Sequence, residues 1–267
     1  MAKRRKVKTL RAIHPNVGIT VDYRRRLLKL VDQMQASVDY WLTAAYKANE
    51  PAIMAMDAVP AAALQRAVRR MTKQWQRRFN EGADELASYF AKSVRNRNDR
   101  QLMSILKKAG YTVRFTTTPA MRDVMRATVE QNVQLIKSIP QQYLGQVQGA
   151  VMRSVQTGRD LHSLSKELTQ KFGVTRRRAA LISLDQNNKA TSAMQKVRQV
   201  ELGIKQGIWM HSHAGKEPRP THLANDRKVF SVTDGWFDPD PKVRRHIMPG
   251  ELINCRCTWK PIIRGFS

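Results

Sequence analysis

Three residues near the carboxyl terminus have side chains suited to binding a metal ion. Cys255 and Cys257 are the only cysteines of the chain, they are separated by one residue, and His222 precedes them. In an extended segment, residues two apart project from the same face with Cα atoms about 6.6 to 7 Å apart, at the upper limit for a disulfide. Reduced thiols or metal ligands are therefore favoured. Two thiolates with one imidazole supply three of the four ligands of a structural zinc site.

The same three side chains have an alternative role in a metal-free core. Free cysteines are often buried as small apolar groups, and His222 could hydrogen-bond a loop backbone instead of a metal. Because a structural zinc site normally shows four clear ligands, the sequence favours a folded module without metal over a complete zinc site.

A nuclease or hydrolase is a third interpretation of this region, since histidines beside carboxylates can act as general bases or metal ligands. Its candidate residues are His211, His213, His222, Asp226 and Glu251. The sequence has no HExxH motif, no Ser/His/Asp order and no glycine-rich phosphate loop. Solvated histidines are common in loops this polar, so we expect no catalytic residues. A metal-dependent, nuclease-like DNA-processing enzyme is kept as the alternative.

The net charge of the chain indicates which kind of molecule it binds, whereas the chain length does not. The 267 residues include 48 Lys and Arg against 21 Asp and Glu, which gives a formal charge of +27. Such a field attracts polyanions at physiological salt, so nucleic acid is the first candidate partner. We expect no membrane partner, because no run approaches the roughly 18 apolar residues of a spanning helix. We also expect a cytoplasmic product without a cleaved signal peptide, since Arg11, His14 and Pro15 break the apolar stretch that should follow the basic amino terminus.

Three basic clusters are predicted to contact DNA or an acidic partner, with solubility as the alternative explanation. One is a stripe on a helix that has no acid between Asp57 and Glu81 to neutralise it. Another opens a predicted helix, where cations oppose the dipole at a cost of about a few tenths of a kcal/mol each. The clusters are Lys3, Arg4, Arg5 and Lys6 in an amino-terminal arm, Arg66, Arg70, Lys73 and Arg77 in the stripe, and Arg176, Arg177 and Arg178 at the predicted helix start. Binding should be independent of DNA sequence and steeply salt-sensitive.

Apolar residues at alternating spacings of three and four predict long helices over most of the chain. The first should span about residues 21–50, and the next should begin near Pro60 and continue to about Gly110. The later boundaries are a start at Pro119, an interruption at Pro140, a stop at Gly173, a cap at Thr175, and stops at Gly203 and Gly207. Large apolar side chains on these helices, namely Met34, Trp41, Met71, Trp75 and Phe79, are predicted to be core.

The amino-acid composition changes after Gly207, where glycine, proline, Trp and Phe recur. Residues 228–232 and 254–259 are predicted to form strands. The fold class is therefore predicted to be α+β. Its domains are a flexible basic arm over residues 1–20, a helical body over 21–206, and a small β module over 207–267.

Residues from about 175 to 262 resemble the phage Mu F-like family of minor head, or head morphogenesis, proteins. The resemblance rests on a series of short motifs that occur in the family's order. They are the segment from Arg178 to Gln186, Arg198-Gln199, Leu202-Gly203-Ile204, Trp209, Arg219-Pro-Thr-His222, Asn225 to Phe230, Pro249-Gly250-Glu251, and Asn254-Cys-Arg256-Cys257. The first 110 residues carry no comparable motif.

The resemblance implies a structural protein of a tailed phage, found in the virion at the head interior or portal vertex and in the host cytoplasm during assembly. Family members associate with the portal and other head proteins and are thought to help DNA packaging or exit, with no enzymatic activity established for the family domain. A free DNA-binding regulator is a further alternative. One apolar helix face could then lie against the portal or a neighbouring copy.

The chain departs from the family's pattern at two places. Some relatives carry Cys-Pro-x-Cys where this chain has Arg219 to His222, so Arg219 replaces a possible ligand and His213 would have to supply the fourth. Many relatives also have a glycine at the position of Arg227, which puts in doubt the tight turn that the glycine would make.

Overall fold

The computed structural model describes residues 7–48, 59–156, 161–214 and 217–264. Within these ranges, four long helices are followed by a small region that contains strands, which confirms the α+β prediction. In chain order the elements are β1 (Val7–Thr9), α1 (Val17–Ala48), α2 (Val59–Lys108), α3 (Pro119–Gln156), α4 (Leu161–Glu201), β2 (Gln206–Met210), α5 (Pro220–Ala224), β3 (Val229–Ser231), β4 (Trp236–Asp238), β5 (Arg245–Ile247) and β6 (Thr258–Arg264). None of the helices described is both long enough and apolar enough to cross a bilayer.

The apolar stripes account for the packing of α1 and α2, with one exception. Met34 of α1 and Met71, Trp75 and Phe79 of α2 are buried, as predicted for core residues. Trp41, in contrast, is 48% exposed, so the prediction that it belongs to the core is wrong. The buried positions of α1 near it recur every fourth residue up to Leu42, and Trp41 is turned about 100° away from that face.

Two predicted helix breaks do not occur. α3 continues through Pro140, although proline removes one helical hydrogen bond, because the buried stripe continues across it from Ile136 to Leu144. α4 continues through Gly173 and Thr175, whose hydroxyl donates to the Lys171 carbonyl at 3.0 Å instead of capping a new helix. Tertiary packing of the apolar face therefore outweighs both local signals.

Other boundaries follow local chemistry as predicted. Thr118 caps α3, since its hydroxyl accepts a hydrogen bond from the Met121 N–H at 3.2 Å, and Pro119 occupies the first helical position. α4 ends two residues before Gly203, which has a φ of +71°. Gly207 does not stop a helix, because it lies within β2, where a Cβ would come 2.7 Å from the Trp259 ring.

The chain forms two compact units, and each of the four long helices contributes one segment to each unit. Unit 1 comprises Met1–Thr20, Tyr89–Val129 and Leu184–Ser267, and unit 2 comprises Val21–Ser88 and Glu130–Ser183. The division into residues 1–20, 21–206 and 207–267 stays a prediction, and these compact units follow different boundaries.

Unit 2 is helical, and buried hydrogen bonds join its helices. The hydroxyl of Tyr23 donates to Asn132 at 2.8 Å, and that of Tyr46 donates to Ser154 at 2.7 Å. Both pairs connect α1 with α3, and burial raises the pKa of Tyr23 far above its ordinary range. The Tyr23 hydroxyl therefore stays a protonated donor, and both hydrogen bonds fix how these two helices align.

Unit 1 contains an antiparallel sheet in the order β1-β6-β2-β3, and β4 pairs separately with β5. Trp209 of β2 lies opposite Trp259 of β6, and both are buried. The Trp259 indole donates to the side-chain oxygen of Gln199 at 2.6 Å, which fixes the sheet to the last turns of α4. The strands therefore pack on helix ends and do not form a free-standing module.

The predicted flexible arm differs from the structure over residues 7–20. Val7–Thr9 pairs with β6, and Leu10 and Ile13 are buried in an apolar cluster with Ile263. The prediction of a flexible arm rested on the many cations and the lack of acidic residues in this segment, and it overlooked Leu10 and Ile13. These apolar side chains become buried only when β6 is present.

Candidate functional site

The two cysteines lie in the extended segment that leads into β6. The strand predicted over residues 254–259 starts later, at Thr258, so Cys255 and Cys257 precede it. Arg256 between them is exposed and both thiols are buried, which keeps the two sulfurs on one side, as the spacing predicted. Both cysteines are free.

A turn before the cysteines carries the family motif Pro249-Gly250-Glu251. Gly250 has a φ of +84°, and a Cβ there would come 3.3 Å from the Cys257 carbonyl oxygen. Its N–H donates to the Cys255 sulfur at 3.4 Å, and the Glu251 carboxylate accepts the Met248 N–H at 2.8 Å. Glycine is therefore required both for the backbone conformation and for the close approach to the cysteine segment.

The carboxyl-terminal half of α4 holds the cysteine segment by two side chains. Asn188 donates to the Cys255 carbonyl at 3.0 Å, and the Asp185 carboxylate accepts the Asn254 N–H at 2.7 Å. Asn254 has a φ of +59°, so this bond stabilises a left-handed backbone conformation directly before Cys255. Asp185 belongs to the first family motif, whereas nothing in the sequence marked Asn188.

His222 projects from α5, whose first helical residue is Pro220. Arg219 stands at the cap position and donates to the Ile253 carbonyl at 2.9 Å, which joins α5 to the loop before the cysteines. The Nδ1 atom of His222 lies 3.5 Å from the Cys255 sulfur and 3.7 Å from the Cys257 sulfur. The structure therefore brings together the three ligands that the sequence suggested.

A fourth polar residue, Asp238 at the end of β4, completes this centre on the opposite side of the imidazole. The Nε2 atom of His222 donates to the Asp238 carboxylate at 3.2 Å, and the second carboxylate oxygen accepts the Asp240 N–H at 3.0 Å. Asp238 is 0% exposed and His222 is 2% exposed. Sequence reasoning missed Asp238, which lies among prolines and acids that resemble an ordinary polar loop.

Aromatic rings enclose the centre. The Trp209 ring lies 5.2 Å from the imidazole of His222, and the Trp236 ring lies 6.1 Å from it, both edge to face. Phe230 packs on Trp209 at 5.7 Å. The family-motif residues Trp209 and Phe230 are therefore the walls of this centre.

The two thiols share one proton more readily than they lose both. The hydrogen bond from the Cys257 thiol lowers the pKa of Cys255, and the same bond, with burial, raises the pKa of Cys257. The centre thus places two sulfurs beside one imidazole nitrogen, and soft sulfur and nitrogen donors of this kind suit zinc.

His213 does not join the three ligands. It is exposed, its N–H donates to Nδ1 of His211 at 3.1 Å, and its Nε2 lies 3.5 Å from the Asp226 carboxylate. A left-handed backbone at His213, with a φ of 51°, turns the chain toward the surface. The structure therefore contradicts His213 as the fourth ligand.

The residues of the enzyme hypothesis do not converge on one cleft. His211, His213 and Asp226 form a surface group, and burial lowers the pKa of His211. Glu251 is used in its own turn, and His222 faces the buried thiols. Within the described ranges, the group of ligand atoms close enough to hold a metal is that of His222, Cys255 and Cys257, which lie within 4.8 Å of one another.

The predicted stripe on α2 is exposed along its length. Arg66, Arg70 and Lys73 have no ion-pair partner among the described residues, whereas Arg77 pairs with Glu81 at 2.7 Å. The expectation that the stripe has no acid to pair with is therefore wrong for Arg77, since Glu81 lies one helical turn away.

The other two basic clusters are the amino-terminal arm and the three arginines of α4. Lys3, Arg4, Arg5 and Lys6 lie outside the described residues. The arginines predicted at a helix start are in the middle of α4, so the dipole argument does not apply to them. Arg176 pairs with Asp32 and Arg178 donates to Ser138 at 2.8 Å, which leaves Arg177 as the exposed member.

The chain forms the expected tight turn at Arg227, although this residue is not a glycine. Arg227 has a φ of 61°, its N–H donates to the Trp209 carbonyl at 2.9 Å, and the Lys228 N–H donates to the Asn225 carbonyl at 3.1 Å. The chain therefore forms the turn with Arg227, for which the left-handed backbone conformation is less favourable than it is for glycine.

One family model matches part of the chain. The family model described as phage Mu protein F like protein matches residues 145–260. An uncharacterized protein of Haemophilus influenzae is 29% identical over 184 residues, which cover 68% of this chain and 39% of the relative. This chain thus spans about two fifths of the length of that relative. No solved structure matches.

Proposed function

Since residues 145–260 carry the phage Mu F-like family region, we propose that the chain is a minor head protein that acts at the portal vertex during assembly and in DNA packaging or ejection. The observation that carries this proposal is the position of the family motifs. Trp209, Phe230, Cys255 and Cys257 are packed inside unit 1. Motifs that build an interior fit an assembly protein better than an enzyme, whose defining residues must reach a substrate.

The burial of the Cys255, His222 and Asp238 chain supports a structural role. A thiolate, an imidazole and a carboxylate in this order could serve as nucleophile, base and orienting group. All three are at most 3% exposed, so a macromolecular substrate has no access to the sulfur. We therefore propose a non-enzymatic protein.

The exposed stripe on α2 supports contact with packaged double-stranded DNA. The cations without an ion-pair partner among the described residues recur every three or four positions, so they follow one face of the helix. Phosphates would neutralise them without base contacts, which predicts binding that does not depend on DNA sequence.

The aromatic pair on α1 supports a protein partner from the head, for which the portal is our proposal. Tyr40 and Trp41 are 67% and 48% exposed, and their rings meet edge to face at 5.3 Å. A cavity of about 340 Å³ beside Trp41 is lined by Arg66, Arg70 and Met71. Exposed aromatic and Arg side chains are among the types enriched at protein interfaces.

Quantitative mass spectrometry of purified particles tests the assembly role. Heads of the phage or prophage that encodes the chain should contain it in few copies relative to the major capsid protein, and cross-linking should join it to the portal. Its absence from heads, while it is abundant in the lysate, would contradict the proposal.

Salt titration of DNA binding tests the stripe. Replacing Arg66, Arg70 and Lys73 together by Gln should reduce the slope of log K against log salt by about 2 to 3, because each phosphate contact contributes about 0.9. Two duplexes of unrelated sequence should give the same affinity, whereas a free sequence-specific regulator would separate them.

A matched control removes the same charge elsewhere in unit 2. Arg25 and Arg26 pair with Asp22, and Arg153 pairs with Glu167. Replacing these three arginines by Gln should leave the slope nearly unchanged. Equal losses for both triple variants would mean that net charge, not the stripe, governs binding.

The nuclease alternative is tested by incubating plasmid with the protein and magnesium, manganese or zinc in turn. We expect intact plasmid. Cleavage that is abolished by His222→Ala and retained by His213→Ala would replace the assembly role with metal-dependent DNA processing.

A further inference from the structure

We propose that Nδ1 of His222 and the sulfurs of Cys255 and Cys257 bind one zinc ion, which joins α5 to the segment that precedes β6. This site does not depend on the proposed head function, because it follows from the contacts of the three side chains.

The distances fit a tetrahedral ion. Zinc bonds of about 2.3 Å to sulfur and 2.0 to 2.1 Å to nitrogen, at the tetrahedral angle, place a sulfur and a nitrogen ligand about 3.5 Å apart. The Nδ1 atom of His222 lies 3.5 Å from one sulfur and 3.7 Å from the other. Both nitrogen–sulfur distances therefore already match those of a shared zinc ion, and all three ligand atoms lie within 4.8 Å of one another.

The imidazole is oriented as a metal ligand. Its Nε2 donates to the Asp238 carboxylate at 3.2 Å, which leaves the lone pair of Nδ1 directed at the sulfurs. Zinc-bound histidines almost always donate their second ring nitrogen to a carboxylate, carbonyl or water. Asp238 is thus the supporting residue of the site, and its burial keeps the imidazole from turning.

The donor set of the centre also suits a cation. A buried carboxylate and two sulfurs surround one imidazole, and Cys255 accepts an additional hydrogen bond from the Gly250 N–H at 3.4 Å. Burying negative charge without a counter-charge is costly. A dication lets both sulfurs be thiolates and compensates the carboxylate.

The fourth coordination position falls to a non-protein ligand such as water. Among the described residues, no further His, Cys, Asp or Glu joins the three ligands. Arg219 turns away from the centre and donates to the Ile253 carbonyl. Three protein ligands and one water form the coordination pattern of catalytic zinc sites, but the burial of this centre closes that position to a macromolecular substrate.

Metal analysis of the full chain, purified without a polyhistidine tag, tests the site. We expect about one equivalent of zinc, bound tightly enough to survive gel filtration. Cobalt substitution should give sulfur-to-cobalt charge-transfer bands in the near ultraviolet. Less than about 0.2 equivalents in folded protein, with no such bands on adding cobalt, would overturn the proposal.

Variants separate zinc ligation from a metal-free thiol core. Cys257→Ser should lose the zinc and the cobalt bands, whereas His213→Ala, a histidine outside the centre, should keep both. Zinc retained at the wild-type level in Cys257→Ser would also overturn the proposal.

A second variant covers the case in which Cys257→Ser does not fold. Asp238→Asn keeps every ligand, and it should weaken zinc affinity about 10- to 100-fold, measured by competition with a chromophoric chelator. Far-ultraviolet circular dichroism confirms the fold. An affinity equal to that of the wild type would contradict the role of Asp238, and zinc bound without any sulfur-to-cobalt bands would contradict the thiolate ligands.

Discussion

Replacing Arg198 by Met should be the most damaging single change among the polar side chains of unit 1. Arg198 is 2% exposed, and its guanidinium forms a paired contact with Asp99, with both distances 2.8 Å. It also donates to Glu201 at 3.0 Å and to the Thr116 carbonyl at 2.9 Å, and it lies 4.6 Å over the Phe115 ring. One side chain thus connects α2, the segment before α3, and the end of α4.

The magnitude follows from what the substitution leaves behind. Removing one partner of a buried ion pair costs about 3 to 5 kcal/mol, because the remaining charge loses its compensation. Asp99 and Glu201 keep 16% and 25% exposure, so water recovers part of that loss. Met retains the packing of the arginine stem. We therefore expect a loss of about 3 kcal/mol in the free energy of unfolding.

Urea denaturation gives the measurement. Trp41 and Trp75 lie in unit 2, so a background in which both are Phe makes tryptophan fluorescence report on unit 1 alone. The slope of the free energy with urea should stay unchanged, and the midpoint should fall.

The control is Arg77→Met, which breaks the exposed pair with Glu81 and should leave the urea midpoint nearly unchanged. A loss below about 1 kcal/mol for Arg198→Met would refute the reasoning, since it would mean that hydration replaces the guanidinium contacts.

Three further changes test the loops around the candidate zinc site. Arg227→Gly should stabilise the protein by about 0.5 to 1 kcal/mol in urea melts, since relief of the left-handed strain exceeds the added chain entropy; a loss would show that the arginine side chain matters more than its φ. Gly250→Ala should destabilise by about 2 kcal/mol, because a Cβ at positive φ meets the Cys257 carbonyl; an unchanged thermal midpoint would contradict this. The pKa of Asp226 is lowered in the folded protein, because the hydrogen bond from the His211 N–H outweighs the opposing effect of burial. The Asp226 carboxylate therefore stabilises the fold at pH values above its ordinary pKa, and this stabilisation is lost as the pH falls through the lower pKa of the folded state. Asp226→Asn should therefore flatten the fall in stability below about pH 4, and parallel curves for the two proteins would count against it.

The candidate zinc site shows where sequence patterns suffice and where they stop. The spacing of Cys255 and Cys257 predicted two sulfurs on one side, and the ordered motifs predicted that His222 belongs to the same region. Nothing in the sequence separated His213 from the ligands, because its exclusion results from one left-handed residue that directs it to Asp226. Asp238 was missed because its role depends on the position of β4 against α5.

The helices show the same limit. Local signals at Pro140 and Thr175 predicted breaks that the packing of a continuous apolar face overrides. Trp41 was assigned to the core because its spacing is compatible with one helix face, and the structure leaves it exposed.

The sequence by itself determined the helical periodicity, the excess of positive charge and the family resemblance of the carboxyl-terminal region, because each is a property of residue order and type. The tertiary structure alone decided which polar groups meet. The contacts of His222 with Asp238 and the two thiols, and of Arg198 with Asp99, join residues from different elements. Such contacts depend on distances between elements, which folding sets and local pattern does not encode.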